Sequence, residues 1–422
     1  MGGDRVLSSS SSKGEESPVE RGVPELSFQG SQRHGDGLSM NPENAASTLA
    51  DQLLLDDLGG RVSANSLDTD SQWRRRHNIY REILLSYDDL RIRSENLGVA
   101  KSKILSYTPG AWIEKAGGMK LSDYNIPTTT SLILIGPKGS GKSSLVNRIS
   151  RVFDDDIFAS ERAQVSYNTS VGDGTYFLQE YMIPRFSTSF CLYDTRSLSN
   201  DASENLVMMK RWMTEGVRHG KLVFRDSDSW QLRTAVKCKA RQIGCCSREK
   251  RMVNFVIFVV NAISVLKSMD SADEQAGRYC EMIATTFKSP YLSFKDDKPV
   301  VVITHTDLIS LSDRARVRLH LGESLGVPPA KQIFDIPESS DLATKLAIVD
   351  MLRYSLEHAD RNLPCKNWIM DKVHMLYVPA CIFLLLVLGI AIISAHMHRA
   401  GRAPRPDSHI QWHAIRHLWY AD

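Results

Sequence analysis

The sequence predicts an α/β fold in which a mainly parallel sheet is covered by helices on both faces. Between residues 128 and 362, short apolar runs alternate with helix-like segments, the pattern typical of such folds. The last of these helices, predicted from Asp341 to His358, carries leucine and valine on one face and should pack against the sheet. The predicted strands cover residues 132–135, 176–184, 189–193, 253–260, 300–304 and 332–336.

Composition limits the class of protein. The chain has 422 residues, of which 42% are hydrophobic, enough for at least one globular core. The formal net charge is only +3, so no nucleic-acid partner is expected. The 7 cysteines form no CxxC pairs, which indicates reduced thiols and a main body in the cytosol or an equivalent compartment.

Two segments precede the α/β region. Residues 1–70 are rich in serine, glycine and acidic residues and poor in aromatic ones, a composition that predicts disorder. From about residue 73 to 107 the pattern is helical, because apolar residues recur every seventh position from Ile83 to Ile104. Residues 71–127 are therefore predicted to be a helical lead-in that packs on the next domain.

A phosphate-binding loop follows the first predicted strand. Residues 136–143 read GPKGSGKS and match GxxxxGK[ST] between an apolar strand and a helix. Glycines let the backbone curve around an anion, and the helix N-terminus adds a favourable dipole. Lys142 is expected to reach the β- and γ-phosphates, and the Ser143 hydroxyl to bind Mg²⁺. The nucleotide-binding residues predicted here are Gly136, Gly139, Ser140, Gly141, Lys142, Ser143 and Ser144.

A second metal-binding residue is predicted at the end of the strand at residues 189–193. Asp194 follows this apolar run directly. An acidic residue at the end of a strand beside the phosphate loop commonly holds Mg²⁺, often through a water molecule. Asp194 is therefore the predicted acidic residue of the magnesium site.

With these motifs, residues 128–362 resemble the Ras-like superclass of P-loop GTPases. The resemblance implies a three-layer G domain that binds GTP or GDP with Mg²⁺. In that family Asp194 would open a DxxG motif, and this chain has Ser197 in place of the glycine. A family threonine before the second strand completes the magnesium shell and serves catalysis together with the lysine. Thr175 occupies the matching place, and Thr169 is the alternative.

The same resemblance predicts which base is bound. The strand at 300–304 ends in Thr304-His305-Thr306-Asp307, in the place of the family motif [NT]KxD. Asp307 would accept hydrogen bonds from guanine N1–H and the 2-amino group, a geometry that adenine does not offer. His305 replaces the usual lysine, as in the septin and chloroplast-import-receptor branch. Ser339 and Ser340 stand where a further base contact is expected.

Hydrolysis is a separate question. Ras-type enzymes position the attacking water with a glutamine after DxxG, and this chain has Leu198 there. Arg196 is either a group that stabilises transition-state charge or an exposed arginine in a salt bridge. The alternatives to a GTPase switch are a catalytically inert nucleotide-binding scaffold and a P-loop kinase of small molecules.

A long insertion, at about residues 199–251, lies between Asp194 and the next strand. Asn205 to His219 reads as a helix, and residues 225–251 carry an excess of lysine and arginine. The basic part is expected to be a solvated loop, or a surface for anionic lipid or a protein partner.

A single membrane anchor is predicted near the C-terminus. Residues 376–395 contain no charge and, at about 1.5 Å per residue, match a bilayer core of about 30 Å. A linker at 363–375 precedes this span, and an Arg/His-rich tail at 396–422 follows it. The arrangement resembles a tail-anchored protein.

These elements together predict a guanine-nucleotide switch on a membrane. The nucleotide supply places the large N-terminal part in the cytosol and sends the tail across the bilayer. The high apolarity of the span favours the endoplasmic reticulum, whereas the basic tail favours a plastid or mitochondrial outer membrane. Beyond guanine nucleotide and the lipid bilayer, the expected partner is a second copy of the chain or a protein effector.

Overall fold

The structure, a computed structural model, describes residues 67–113, 120–154, 160–165, 175–243, 249–270, 274–366 and 368–400. The predicted disorder of residues 1–70 falls almost wholly outside the described residues, as do Thr169 and most of the predicted tail.

The described part of the chain contains a six-stranded sheet with the order β2-β3-β1-β4-β5-β6. Neighbouring strands are parallel except for the antiparallel pair β2 and β3. The prediction of a mainly parallel sheet is therefore confirmed. The strands are β1 Thr130–Ile135, β2 Gln179–Ile183, β3 Phe190–Asp194, β4 Phe255–Asn261, β5 Val300–Thr304 and β6 Ile333–Ile336.

Helices separate most of the strands. Described in chain order, they are α1 Leu67–Arg93, α2 Leu97–Leu105, α3 Lys142–Phe153, α4 Ala202–Glu215, α5 Trp230–Ile243, α6 Ala262–Asp270, α7 Glu274–Phe287, α8 Leu311–Leu325, α9 Pro329–Gln332, α10 Leu342–Arg361 and α11 Trp368–Ala400.

Two apolar cores lie on opposite faces of the sheet. Successive side chains of a strand point to opposite faces. In β1, Ile133 and Ile135 belong to one core, while Leu132 and Leu134 belong to the other. The first core includes residues of α4, α7 and α8, and the second includes residues of α3 and α10. The sheet is thus the middle of three layers, with β1 buried along its whole length.

The lead-in helices pack on this three-layer domain. Tyr80 and Ile83 of α1 are buried against Ala315 and Leu319 of α8. Farther along, the Tyr107 hydroxyl donates a 2.8 Å hydrogen bond to Asp360 of α10. The contacts join residues far apart in the sequence, so the lead-in is part of the same packed unit.

The second strand is shorter than predicted because its first residues pair with the insertion. Val223 N donates to Tyr176 O at 2.9 Å, and Leu178 N donates to Lys221 O at 2.9 Å. The ladder with β3 begins only at Gln179. The segment from Tyr176 is therefore extended as predicted, but its first residues pair with the insertion and only the later ones pair with β3.

One described helix, α11, is long and apolar enough to cross a membrane. Its segment Cys381–Arg399 has a mean hydropathy of 2.3, and none of the segment is buried within the protein. Leu385, for example, is 68% exposed. The core helix of a soluble domain would bury such side chains, so the exposure favours a helix made for an apolar surrounding.

Candidate nucleotide-binding site

The phosphate loop connects β1 to α3 and depends on glycine at two points. A Cβ at Gly136 would lie 2.1 Å from the carbonyl oxygen of Val259, so the neighbouring strand leaves no room for a side chain. Gly141, the N-cap of α3, has a φ of 78°, which favours glycine. The loop is thereby held tightly between β4 and its own helix, with the α3 N-terminus facing the position expected for phosphate.

Lys142 is buried beneath this loop. Its Nζ donates to Gly136 O at 3.0 Å, to Pro137 O at 3.1 Å and to Ser197 Oγ at 3.2 Å. Burial lowers the pKa of Lys142 to about 8, although the nearby Asp194 carboxylate raises it. A phosphate group would add the strong negative charge that favours the protonated ammonium.

Three predicted magnesium-site residues meet at the end of β3. The Ser143 hydroxyl donates to Asp194 Oδ2 at 2.6 Å, and the Thr175 hydroxyl donates to the same oxygen at 3.4 Å. Asp194 is 1% exposed, and burial raises the pKa of its carboxyl against the opposing effect of Lys142. The tertiary structure therefore brings together side chains from the phosphate loop, β3 and the segment before β2.

This oxygen cluster fits Mg²⁺ chemically. Oδ1 of Asp194 is buried and has no hydrogen-bond partner within the described residues, so one carboxylate oxygen is available as a ligand. A carboxylate and two hydroxyls are the hard oxygen donors that Mg²⁺ prefers, with phosphate oxygens completing its shell. The described residues contain no group of three or more His, Cys, Asp or Glu suited to another metal.

The end of β5 is tied to the phosphate loop through Thr304. Its hydroxyl donates to Ser140 O at 2.9 Å and lies 2.9 Å from His305 Nδ1. His305 has a φ of 58°, and its Cε1 would be 3.5 Å from a Cβ at Gly141. The imidazole is thus held beside the first turn of α3, where the resemblance predicts a ring against the base.

Asp307 faces the loop that follows β6. Its Oδ1 accepts a 3.0 Å hydrogen bond from Glu338 N, while the residue as a whole is exposed. Arg148 of α3 fixes the same loop by donating to Ile336 O at 3.0 Å. A pocket between these elements is lined by Ser144, Arg148, Glu338, Ser339, Ser340 and further residues. Predicted phosphate-binding and base-binding residues therefore lie on the same side of the domain.

Arg196 forms a salt bridge, as one of its two predicted roles required, but it does so in the interior and not at an exposed position. It is 1% exposed and forms a bidentate ion pair with Asp228, with both N–O distances at 2.6 Å. Its guanidinium also lies 5.0 Å from the ring centre of Tyr176. The side chain is neither an exposed switch arginine nor directed to solvent where a phosphate could reach it. The predicted exposure was wrong because nothing in the local motif indicates the buried partner from the insertion.

Leu198 is also more deeply placed than its motif position suggests. The residue is 4% exposed, and its N–H donates to Gly136 O at 3.0 Å. This bond joins the segment after Asp194 to the phosphate loop. Leu198 is therefore a core residue, and its side chain offers no group that could orient water.

Sequence reasoning missed Arg225. The residue belongs to the basic part of the insertion, yet its side chain is only 8% exposed. Its Nη2 donates to Ser197 O, and its positive charge is one cause of the lowered pKa of Lys142, after burial. No local signal separates Arg225 from the other basic residues of the insertion. The rest of that stretch is also ordered in part, since α5 spans Trp230–Ile243 where a loop was expected.

The sequence matches no protein-family model and no curated protein. A crystal structure of the candidate nucleolar GTP-binding protein 1 from Plasmodium falciparum is 14% identical, covering 61% of this chain and 99% of that chain, with a TM-score of 0.26. A bacterial dynamin pair, described as sensing and tethering membranes at long range, is 11% identical, covering 89% of this chain and 70% of that chain, with a TM-score of 0.21. TM-scores this low carry no conclusion about the present chain.

Proposed function

We propose that this chain is a membrane-anchored guanine-nucleotide-binding protein that acts as a GTPase switch. The observation that supports this most is that two distant segments meet the phosphate loop: Asp194 at the end of β3 contacts Ser143, and Thr304 at the end of β5 contacts Ser140. Asp194 and Thr304 are far from the loop and from each other in the sequence. A chance match to the loop pattern would not be expected to collect the other parts of a nucleotide site around it.

In the proposed binding mode the protein contributes preorganised charge. The loop N–H groups and the α3 N-terminus hold the phosphates, and the Lys142 ammonium neutralises charge on the β- and γ-phosphates. Ser143, Thr175 and Asp194 would hold Mg²⁺. The metal, when bound, offsets the negative charge that develops on the phosphate oxygens.

Guanine selection in this proposal rests on Asp307. Its Oδ1 accepts a 3.0 Å hydrogen bond from Glu338 N, and Glu338 itself lines the pocket beside α3. From there the carboxylate would accept from guanine N1–H and the 2-amino group. Adenine has no N1–H and no 2-amino group, so it would leave the charged acceptor unpaired.

The apolar helix supplies the proposed anchor. With Cys381–Arg399 in the bilayer, the nucleotide-binding domain would lie on the cytosolic side, where GTP is available. A nucleotide-dependent protein at that surface would act by binding a second copy of itself or an effector.

A second candidate function is an inert nucleotide-binding scaffold. The observation in its favour is Leu198, which is buried and bonded to the phosphate loop where Ras-type enzymes carry a glutamine. In that case nucleotide would be bound without being hydrolysed, and its role would be to order the domain.

Calorimetry on the full chain in detergent micelles tests the proposal. We expect GTP and GDP to bind in the presence of Mg²⁺ and ATP to bind at least about a hundredfold more weakly, because the unpaired aspartate costs several kcal/mol. Lys142→Ala should abolish binding, whereas Lys138→Ala, which changes an exposed lysine of the same loop, should not. Equal affinity for ATP and GTP would contradict the guanine assignment. Phosphate release from bound GTP separates the switch from the scaffold.

A further inference from the structure

The insertion contacts both segments that border the proposed γ-phosphate position. On one side, Val223 pairs with Tyr176, the residue after Thr175. On the other side, Arg225 donates through Nη2 to Ser197 O. The two contacts come from a short stretch of the insertion, so this stretch bridges the segments before β2 and after β3.

Arg225 and Lys142 share one neighbour. Lys142 Nζ donates to the hydroxyl of Ser197 at 3.2 Å, while the Arg225 guanidinium donates to the carbonyl of the same residue. The ammonium of Lys142 and the guanidinium of Arg225 therefore lie close together, because both contact Ser197.

Several contacts hold Arg225 in this position. Its backbone N–H donates to Asp228 Oδ2 at 2.7 Å, and its Nε lies 4.0 Å from Glu204 Oε2. Arg233 of α5 donates to the Arg225 carbonyl, so this helix also helps to hold the turn that contains Arg225. Asp228 is itself paired with the buried Arg196. The turn is thus built from buried charged groups, and a solvated loop would not show this arrangement.

Two cations this close repel each other, and a multiply charged anion between them would relieve the repulsion. In the proposed binding mode, Lys142 faces the β- and γ-phosphates. Ser197 lies at that end of the proposed nucleotide, because its hydroxyl is 3.2 Å from Lys142 Nζ, the group expected to contact the β- and γ-phosphates. A triphosphate would bring charge close to Arg225, whereas a diphosphate would end short of it.

We propose that Arg225 is the specificity-determining residue through which the insertion reads the terminal phosphate, so that a triphosphate is bound in preference to a diphosphate. This inference rests on the proposed guanine-nucleotide site. Because Arg233 and α5 support Arg225, occupation of the site by a triphosphate would also stabilise the insertion helix. In this way the insertion, which is part of the same chain, would respond to whether a triphosphate or a diphosphate is bound.

The test compares Arg225→Gln and Arg225→Lys in the full chain in detergent micelles. The ligands are GDP and a GTP analogue with a non-hydrolysable β,γ-bridge, both with Mg²⁺. Arg225→Gln should lose about tenfold or more in affinity for the analogue and less than about threefold for GDP, because only the terminal phosphate loses a charge partner. Arg225→Lys keeps the charge and should retain most of the preference. Arg211→Gln, which changes a 60% exposed arginine of α4, is the matched control and should leave both affinities unchanged.

The outcomes separate this inference from the function on which it rests. If the unaltered chain binds neither nucleotide, the proposed function fails. If it binds both and Arg225→Gln weakens them by the same factor, Arg225 only supports the fold and the inference is overturned. Thermal unfolding of each variant shows whether the insertion has lost its structure, and Arg225→Lys provides the comparison if the glutamine variant unfolds.

Discussion

The Ser143 hydroxyl donates a 2.6 Å hydrogen bond to Oδ2 of Asp194, which links the start of α3 to the end of β3. The same carboxylate has a second, buried oxygen without a hydrogen-bond partner in the described structure. An acidic group held in this way is preorganised for a hard cation, because its orientation is fixed before the cation arrives.

The first prediction concerns this carboxylate. Nucleotide affinity of the unaltered chain should be about tenfold or more higher with excess Mg²⁺ than with EDTA, and Asp194→Asn should remove most of that difference. Titration calorimetry in the two buffers measures it. Asp296→Asn, which changes an exposed carboxylate, is the control and should keep the full magnesium dependence. An unchanged dependence in Asp194→Asn would exclude this residue from the metal site.

The second prediction concerns the stability cost of Lys142. Burial lowers the pKa of Lys142 to about 8, below its ordinary value, so the protonated lysine destabilises the folded state near pH 7. Without nucleotide, Lys142→Met should therefore raise the free energy of unfolding by about 1–2 kcal/mol at pH 7. The cost of the buried charge falls as the pH rises from about 8 towards the pKa of the lysine in the unfolded chain. The stability gained by Lys142→Met should therefore shrink in that range.

Thermal unfolding at pH 7 and at high pH checks this. Lys138→Met changes an exposed lysine of the same loop and should have little effect at either pH. A gain that stays constant between the two pH values would show that packing, and not the buried charge, explains the effect.

The third prediction concerns base selection by Asp307. In Asp307→Asn, one acceptor oxygen becomes an amide donor, which can no longer pair with the guanine 2-amino group. The variant should lose about a hundredfold or more in GTP affinity and gain affinity for the xanthine nucleotide, whose base has a carbonyl at that position. Competition binding with the two nucleotides measures the switch. The carbonyl oxygen of the introduced amide could still accept from Glu338 N, so the loop should keep its shape. A variant that loses affinity for GTP without gaining affinity for the xanthine nucleotide would argue against direct pairing of Asp307 with the base.

The fourth prediction concerns the buried Arg196–Asp228 pair. Asp228→Asn leaves the Arg196 guanidinium buried without a full counter-charge and should destabilise the domain by about 3 kcal/mol or more. Asp226→Asn, two residues away and exposed, should cost much less. Chemical unfolding followed by intrinsic fluorescence measures the difference, and equal effects of the two variants would contradict the prediction.

The same pair predicts a dependence on acid. Burial alone would raise the pKa of Asp228, but hydrogen bonds from Arg196 and from the Arg225 backbone lower it overall. A lowered carboxyl pKa contributes stability above the ordinary aspartate value, and that stability is lost as pH falls through the lowered pKa. The free energies of unfolding of the unaltered chain and of Asp228→Asn should therefore become more similar as the pH falls into the acid range.

The fifth prediction concerns the membrane anchor. Leu386→Arg places a charge in the middle of the uncharged run 376–395, where it costs about 2.5–3.5 kcal/mol on insertion scales. The fraction of the chain that resists alkaline extraction from membranes should fall sharply. Met397→Arg, near the end of the helix, should have little effect because its side chain can reach the interface. Equal extraction of both variants would indicate that the helix does not span the bilayer.

The sequence by itself determined the features that depend on local pattern. Alternating apolar and helical segments predicted the mainly parallel sheet, and the strand β5 was predicted with the bounds it has. The GPKGSGKS run also predicted a phosphate loop, and the structure has this run between a strand and a helix, as the pattern requires. An uncharged run of about twenty residues is likewise a local property.

Tertiary structure alone decided the contacts between distant segments. Arg196 pairs with Asp228 and Arg225 contacts Ser197, yet in each pair the partners are far apart in the chain. A basic stretch indicates positive charge, but it does not say which arginine is buried or which carboxylate it meets. Such pairings depend on how the insertion folds back over the sheet edge, where Val223 and Lys221 pair with the segment before β2. Their energy comes from burial and geometry, which no short window of sequence contains.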